Sequence, residues 1–122
     1  AVEAILAVEK LRERVGAHLL ITEIRAVAAD KLWMSPCYEQ DCVTIHFTWK
    51  PEWPAVQKLL PVIERELASF QPRPHWAKLF NISPANLRAH YPKMPEFVAL
   101  AKKWDPTGKF RNAFLDTNIF GG

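Results

Sequence analysis

Apolar residues recur near helical spacing over residues 2–15, at Val2, Ile5, Leu6, Val8, Leu11 and Val15, with charged residues in the gaps. This pattern predicts one helix, and Gly16 suits a left-handed position that would close it. The aliphatic, β-branched run over residues 18–27 predicts a strand, with Leu19 and Ile21 extending one face so that at least one end of that face is covered. After a loop containing Pro36 and Asp41, residues 42–49 alternate with period 2. Val43, Ile45, Phe47 and Trp49 point one way, and Thr44, His46 and Thr48 point the other.

Two prolines, Pro51 and Pro54, then punctuate the chain. Val56, Leu59, Leu60, Ile63, Leu67 and Phe70 trace a helical stripe, interrupted by Pro61, where a kink or a late helix start is expected. Gln71-Pro-Arg-Pro is an extended break. Ser83-Pro84 carries the cap-then-proline signature of a short helix. Pro95 opens a further helix with Phe97, Leu100, Ala101 and Trp104 on its inner face, and Asp105-Pro-Thr-Gly108 ends it in a turn. Phe97, Trp104 and the stripe over residues 56–70 are the expected core. The tail, residues 109–122, reads as aromatic and irregular. The predicted fold class is α+β: a small antiparallel sheet covered by helices on one face, as a single domain over residues 1–122.

Composition narrows the classes. At 122 residues and 49% hydrophobic, the chain can bury one core. It is short for an enzyme that holds both a dinucleotide and a substrate. Charged residues at 24% argue against disorder, and no apolar run approaches the ~18 residues of a membrane span, so no membrane association is expected. No secretory leader is read at the start. The net charge of +3 is mild. Between Glu64 and Arg111, nine Lys/Arg face four Asp/Glu, but they are scattered between prolines and aromatics with no recognition module. We read a solvated surface with one or two anion contacts rather than a nucleic-acid binder. Cys37 and Cys42, five apart, match neither CxxC nor a zinc pattern and read as free thiols of a reducing compartment, the cytoplasm. The four histidines, at 18, 46, 75 and 90, are too dispersed for a metal site. GxGxxG, GxSxG and Walker loops are missing, so a dinucleotide would be held mostly from outside this chain.

Candidate chemistry lies in two places. Glu23 and Arg25 project from one face of the first strand, and His46 and Thr48 from one face of the second. If the strands are neighbours, a carboxylate, a guanidinium, an imidazole and a hydroxyl share a patch. Such a set can bind a polyhydroxylated substrate, and His46 can accept a proton near neutral pH. It can equally be a solvated face with a cross-strand ion pair, which spacing alone favours. Lys78, beside Trp76 in Pro74-His-Trp-Ala-Lys78, is either a snorkelling surface residue or an ammonium poised beside an anion. His75 reads as structural.

At these residues the sequence resembles the flavin-dependent sugar-alcohol and aldonolactone oxidases of the vanillyl-alcohol-oxidase superfamily. The likeness is to their C-terminal substrate-binding region and covers nearly the whole chain. Pro72-Arg-Pro-His-Trp-Ala-Lys78 is similar to the family's Pro-His-Trp-x-Lys motif, and Trp104-Asp-Pro-Thr-Gly-Lys-Phe-Arg-Asn112 to its DPxGKFxN turn. Glu23-Ile-Arg25 matches its EhR strand, and Leu32-Trp-Met-Ser-Pro36 the loop that follows. His46-Phe-Thr48 is similar to the alditol (xylitol) oxidase branch, and favours it over the gulono- or D-arabinono-1,4-lactone oxidase branch.

The resemblance implies an oxidoreductase in which FAD accepts hydride from the terminal carbinol of a polyol, and dioxygen then yields hydrogen peroxide. It implies that His46 with Arg25 assists removal of the hydroxyl proton and that Glu23 and Thr48 hold further hydroxyls. Lys78 is implied beside the flavin's N1/C2 carbonyl edge. It reverses the blander readings of both sites. The family's flavin-binding domain has no counterpart in these residues, so the chain, beginning at Ala1, reads as the C-terminal part of a longer or split oxidase, inactive alone. Its expected partners are a polyol and a flavin-binding domain. The contrasting expectation is a non-catalytic module that self-associates through apolar surface on the tail.

Overall fold

A computed structural model describes residues 1–121; Gly122, the end of the predicted irregular tail, lies outside the described residues. The chain runs α1 (Val2–Glu9), α2 (Arg12–His18), β1 (Leu19–Val27), β2 (Cys42–Trp49), α3 (Trp53–Leu67), a 3-10 turn (Ala68–Phe70), α4 (Pro84–His90), α5 (Met94–Trp104), α6 (Ala113–Leu115) and a closing π-helical turn (Asp116–Phe120). It is a small α+β fold whose two strands form one antiparallel sheet.

The predicted first helix is two. Leu11 N–H bonds back to Val8 O at 2.9 Å, a tightened turn that ends α1, and α2 restarts at Arg12. Gly16 does not close a helix. It lies inside α2, because the chain passes straight into β1 through the extended backbone of Leu19. Of the predicted stripe, Val15 is buried, whereas Val2 and Leu6 face solvent.

β2 pairs without interruption from Cys42 to Trp49, but its apolar face is covered at the Phe47–Trp49 end, while Val43 is 38% exposed. Phe47 and Trp49 stack with ring centroids 5.2 Å apart and pack, with Leu19, on Val15, Leu59 and Ile63. Leu19 therefore does not share a face with Ile21. The pairing passes from Leu19–Trp49 to Ile21–Thr48 with Leu20 unpaired, and this irregularity turns Leu19 under the helices. Ile21 stays more than half exposed on the opposite, polar face.

α3 runs unbroken through Pro61, without a late start. Pro61 cannot donate to Gln57 O, but both residues are exposed, so the freed carbonyl is open to solvent rather than buried without a partner. Val56, Leu59, Leu60 and Ile63 are buried as predicted. Phe70 is not: the switch to 3-10 geometry after Leu67 rotates it off the stripe, 40% exposed.

A second core joins Leu87, Tyr91, Met94 and Ile119, with Trp76, Phe80, Phe97 and Phe120 packed around it. Ser83 Oγ caps α4 by accepting from Asn86 N–H at 3.2 Å. On α5 the inward residues are Met94, Phe97 and Val98. Leu100 is 45% exposed and Trp104 76% exposed, contrary to the core prediction, because the last turn of α5 reaches past the layer it packs on. There the chain reverses. Asp105 carboxylate oxygens accept from Lys109 N–H at 2.7 Å and Phe110 N–H at 2.9 Å, and Gly108 takes φ +71°, which disfavours a side chain.

Candidate functional site

Pairing of β1 with β2 sets Glu23 opposite His46, Arg25 opposite Thr44 and Ile21 opposite Thr48. Directly paired residues share a sheet face, so Glu23, Arg25, Thr44, His46 and Thr48 form one polar patch on the side away from α3. One oxygen organises it. Glu23 Oε2 accepts from Arg25 Nη2 at 2.7 Å and lies 3.2 Å from His46 Nδ1. The Arg25 bond, followed by the His46 bond, holds the Glu23 carboxyl below the usual carboxylate range.

An ionised carboxylate only accepts hydrogen bonds, so His46 must present N–H at Nδ1. The neutral imidazole then carries its lone pair on Nε2, the nitrogen available as a base. Side-chain exposure is 28% for His46 and 40% for Glu23, which leaves the patch open to a solute while restraining the imidazole. Thr44, the cross-strand partner of Arg25, belongs to the same patch. Period 2 along residues 42–49 points Thr44 to the same face as His46 and Thr48.

The link between the strands is tightly bonded. Asp41 Oδ1 accepts from Ala29 N–H at 2.8 Å, and the Asp30 carboxylate accepts from Leu32 N–H at 2.9 Å and Ser35 Oγ at 2.5 Å. Cys37 and Cys42 are free, and burial pushes the Cys37 thiol upward. From this link Met34 O accepts Trp76 Nε1–H at 2.8 Å, joining it to the segment that carries Lys78.

Within that segment the side chains divide their work. Trp76 is an anchor, 4.8 Å from the Tyr91 ring and edge-on to Phe80 and Phe114. His75 is exposed, and its Nδ1 accepts from Ala77 N–H at 3.1 Å, a local turn bond that fits a structural role. Lys78 follows one turn later, its N–H bonded to His75 O at 3.0 Å. Its ammonium is exposed at a depression of about 440 Å³ that Trp53, Asn81 and Asn118 also line. A cation with two amides and an indole suits a planar ligand edge bearing carbonyls. Among the described residues, no hydrogen bond or ion pair joins Lys78 to the strand patch.

A larger depression, about 620 Å³, lies beside Trp104 and Phe110, which are 76% and 78% exposed. Among the described residues no cluster of three or more His, Cys, Asp or Glu side chains could hold a metal ion, and no helix is long and apolar enough to cross a membrane.

Comparison with known proteins bears on both groups. The chain is 44% identical to an alditol oxidase from Streptomyces over 94% of its own length and 28% of that protein's. It is 32% identical to the L-gulonolactone oxidases of Bos taurus and Mus musculus, over 93% of this chain and 27% of theirs. It therefore spans somewhat over a quarter of the length of these relatives. Residues 2–118, which include the strand patch and Lys78, match the family model described as D-arabinono-1,4-lactone oxidase. The chain belongs to the D-arabinono-1,4-lactone oxidase family.

Proposed function

We propose that this chain is the substrate-binding, C-terminal part of an FAD-dependent oxidase that oxidises the terminal hydroxyl of polyols, xylitol among them. The observation that carries the reading is the shared carboxylate oxygen of Glu23, which binds both Arg25 and His46 on an open sheet face. When bound, FAD supplies the hydride acceptor, and dioxygen takes the electrons onward to hydrogen peroxide. The chain's own residues do the rest.

His46 Nε2, set as a base by the Nδ1–H bond to Glu23, takes the hydroxyl proton as hydride leaves the carbinol carbon. Arg25 donates to the developing alkoxide oxygen and stabilises it. Glu23 and Thr48 accept from and donate to further hydroxyls, which fixes the polyol's orientation. Lys78 would hold the cofactor's carbonyl edge and offer it a positive charge, from the depression that Asn81 and Asn118 also line.

Identity of 44% to an alditol oxidase against 32% to L-gulonolactone oxidases favours the polyol over the lactone branch. Two free thiols, Cys37 and Cys42, support a cytoplasmic setting. In this reading the chain has no turnover alone, and the flavin-binding part of the same or a partner polypeptide completes it. Exposed Trp104 and Phe110 favour covered surface at the tail; light scattering of the isolated chain separates a self-associating module from a monomer awaiting its flavin domain.

Restoring the flavin-binding part and following peroxide with xylitol and with an aldonolactone tests the assignment. His46→Ala should lower polyol-dependent turnover by ~10²–10⁴-fold, and Lys78→Ala by ~10²–10³-fold. Unchanged turnover in both variants would sink the site assignment, and faster turnover of the lactone would move the chain to the other branch.

A further inference from the structure

Arg73 lies in the extended segment just before the lysine, and the proposed chemistry does not use it. Its guanidinium binds three carbonyls from two distant stretches of chain. Nε donates to His90 O at 2.8 Å, and Nη1 donates to Pro36 O at 3.2 Å and Tyr38 O at 3.0 Å. The group lies 5.5 Å from the centroid of the buried Tyr91 ring. Neighbouring bonds fasten the same segment: His90 Nδ1 donates to Pro72 O at 3.1 Å, Tyr91 hydroxyl to Pro74 O at 3.1 Å, and Trp76 Nε1 to Met34 O at 2.8 Å.

Pro36 and Tyr38 belong to the link that runs directly into β2, the strand of His46 and Thr48. The segment fastened to that link ends, one turn later, at Lys78. We infer that Arg73 is a positioning residue that locks the Lys78 segment to the connection between the site strands, so that the cation and the polyol-binding patch keep one relative placement. The inference rests on the flavin-oxidase reading only for what Lys78 does, not for where it is held.

The chemistry calls for arginine. A planar fork offers donors along two edges while its face rests on an aromatic ring. A lysine ammonium is a point charge on a flexible stem. It can reach one of these carbonyls but cannot hold the two stretches in fixed geometry. Pro72 and Pro74 flank Arg73 and fix the backbone φ on each side, which limits the alternatives open to the segment once the fork is lost.

Amide hydrogen exchange on the chain itself is the first test. In both Arg73→Ala and Arg73→Lys, protection should fall at least ~10-fold together over residues 32–38 and 75–80. The ladder of β1 with β2 and the interior of α3 should keep theirs. Unchanged protection near Lys78, or an equal loss throughout the molecule, would overturn the inference.

The second test reads the cofactor edge without turnover, through sulfite affinity of the flavin in the flavin-loaded protein. Lys78→Ala should weaken sulfite binding, Arg73→Ala should weaken it nearly as much, and the double variant should be no worse than Lys78→Ala alone. Arg73→Lys should fall between wild type and Arg73→Ala. Additive losses, or normal affinity in Arg73→Ala where Lys78→Ala is impaired, would overturn the positioning role. Normal affinity in Lys78→Ala would instead overturn the flavin contact, and the exchange result would then decide the role of Arg73 by itself.

Discussion

In the strand pair, Glu23 meets His46 because antiparallel pairing sets them opposite one another, and the neighbours two residues along follow without further instruction. In the segment over residues 72–78, Lys78 is held where it is because the segment's own Arg73 and Trp76 donate to backbone carbonyls at Met34, Pro36, Tyr38 and His90, and Tyr91 donates to the Pro74 carbonyl. One group of candidate site residues is placed by local periodicity, the other by long-range side-chain bonds. Each also stands on its own core, Val15 with Leu59 and Ile63 under the strands, and Leu87, Tyr91, Met94 and Ile119 beside the lysine segment. A site drawn from both halves is only as well defined as the bonds between them.

The largest effect should come from emptying either core. Leu87, fully buried, and Leu59, 4% exposed, are each expected to cost about 2–5 kcal/mol on truncation to alanine, measured by urea unfolding. The comparison sharpens on the shape of the transition. Bonded through Arg73, Trp76 and Glu64, the halves should unfold together, so either variant shifts one cooperative transition. Two separated transitions in Leu87→Ala would break the picture of a single unit.

Glu64 is the next link to cut. From α3 its Oε1 accepts the Asn81 N–H at 2.5 Å, just beyond Lys78, and burial outweighs this bond in raising the carboxyl above its ordinary value. Glu64→Ala removes this bond, and because the Asn81 N–H is exposed and can turn to water, the cost should be about 0.5–1.5 kcal/mol. Because the folded value is raised, the folded chain holds this proton longer than the unfolded chain. Stability should therefore decline as pH rises from the ordinary carboxylate range to the raised value. Glu64→Gln keeps an acceptor and removes that slope; an unchanged slope would show that Glu64 is not its source.

This contrast also explains what could be read in the sequence. The strand residues 42–49 and the shared faces of Glu23/Arg25 and His46/Thr48 were legible, because period 2 depends only on neighbours. Leu19 departs from the face that period 2 expects because an unpaired residue at Leu20 shifts the register, and nothing local to the strand announces it. Trp104 is exposed against the expectation of core because helical spacing gives the direction of a side chain but not where the opposing layer ends. Lys78 was visible as a motif member, while the grip of Arg73 on Pro36 and Tyr38 was not, since bonds to backbone carbonyls more than thirty residues away leave no spacing signal.

The smallest expected effect tests the locally assembled half. Glu23 is exposed enough that its bonds add little to stability, but they set the His46 tautomer. Its folded pKa is lowered, so the bonded arrangement is fully present above the ordinary carboxylate range and is lost as pH falls through the lowered value. Glu23→Gln should remove that acid-side loss. It should also change the imidazole. A carboxylate can only accept, whereas the Gln amide can also donate, so the Nδ1 position need no longer carry the proton. Nitrogen NMR of the His46 ring should show Nδ1–H dominating in the wild type at neutral pH and a mixture of tautomers in Glu23→Gln. The same mixture in both proteins would mean that the Glu23 contact does not orient the base, and the patch would then be a solvated face with an ion pair, the simpler of the two readings that spacing allows.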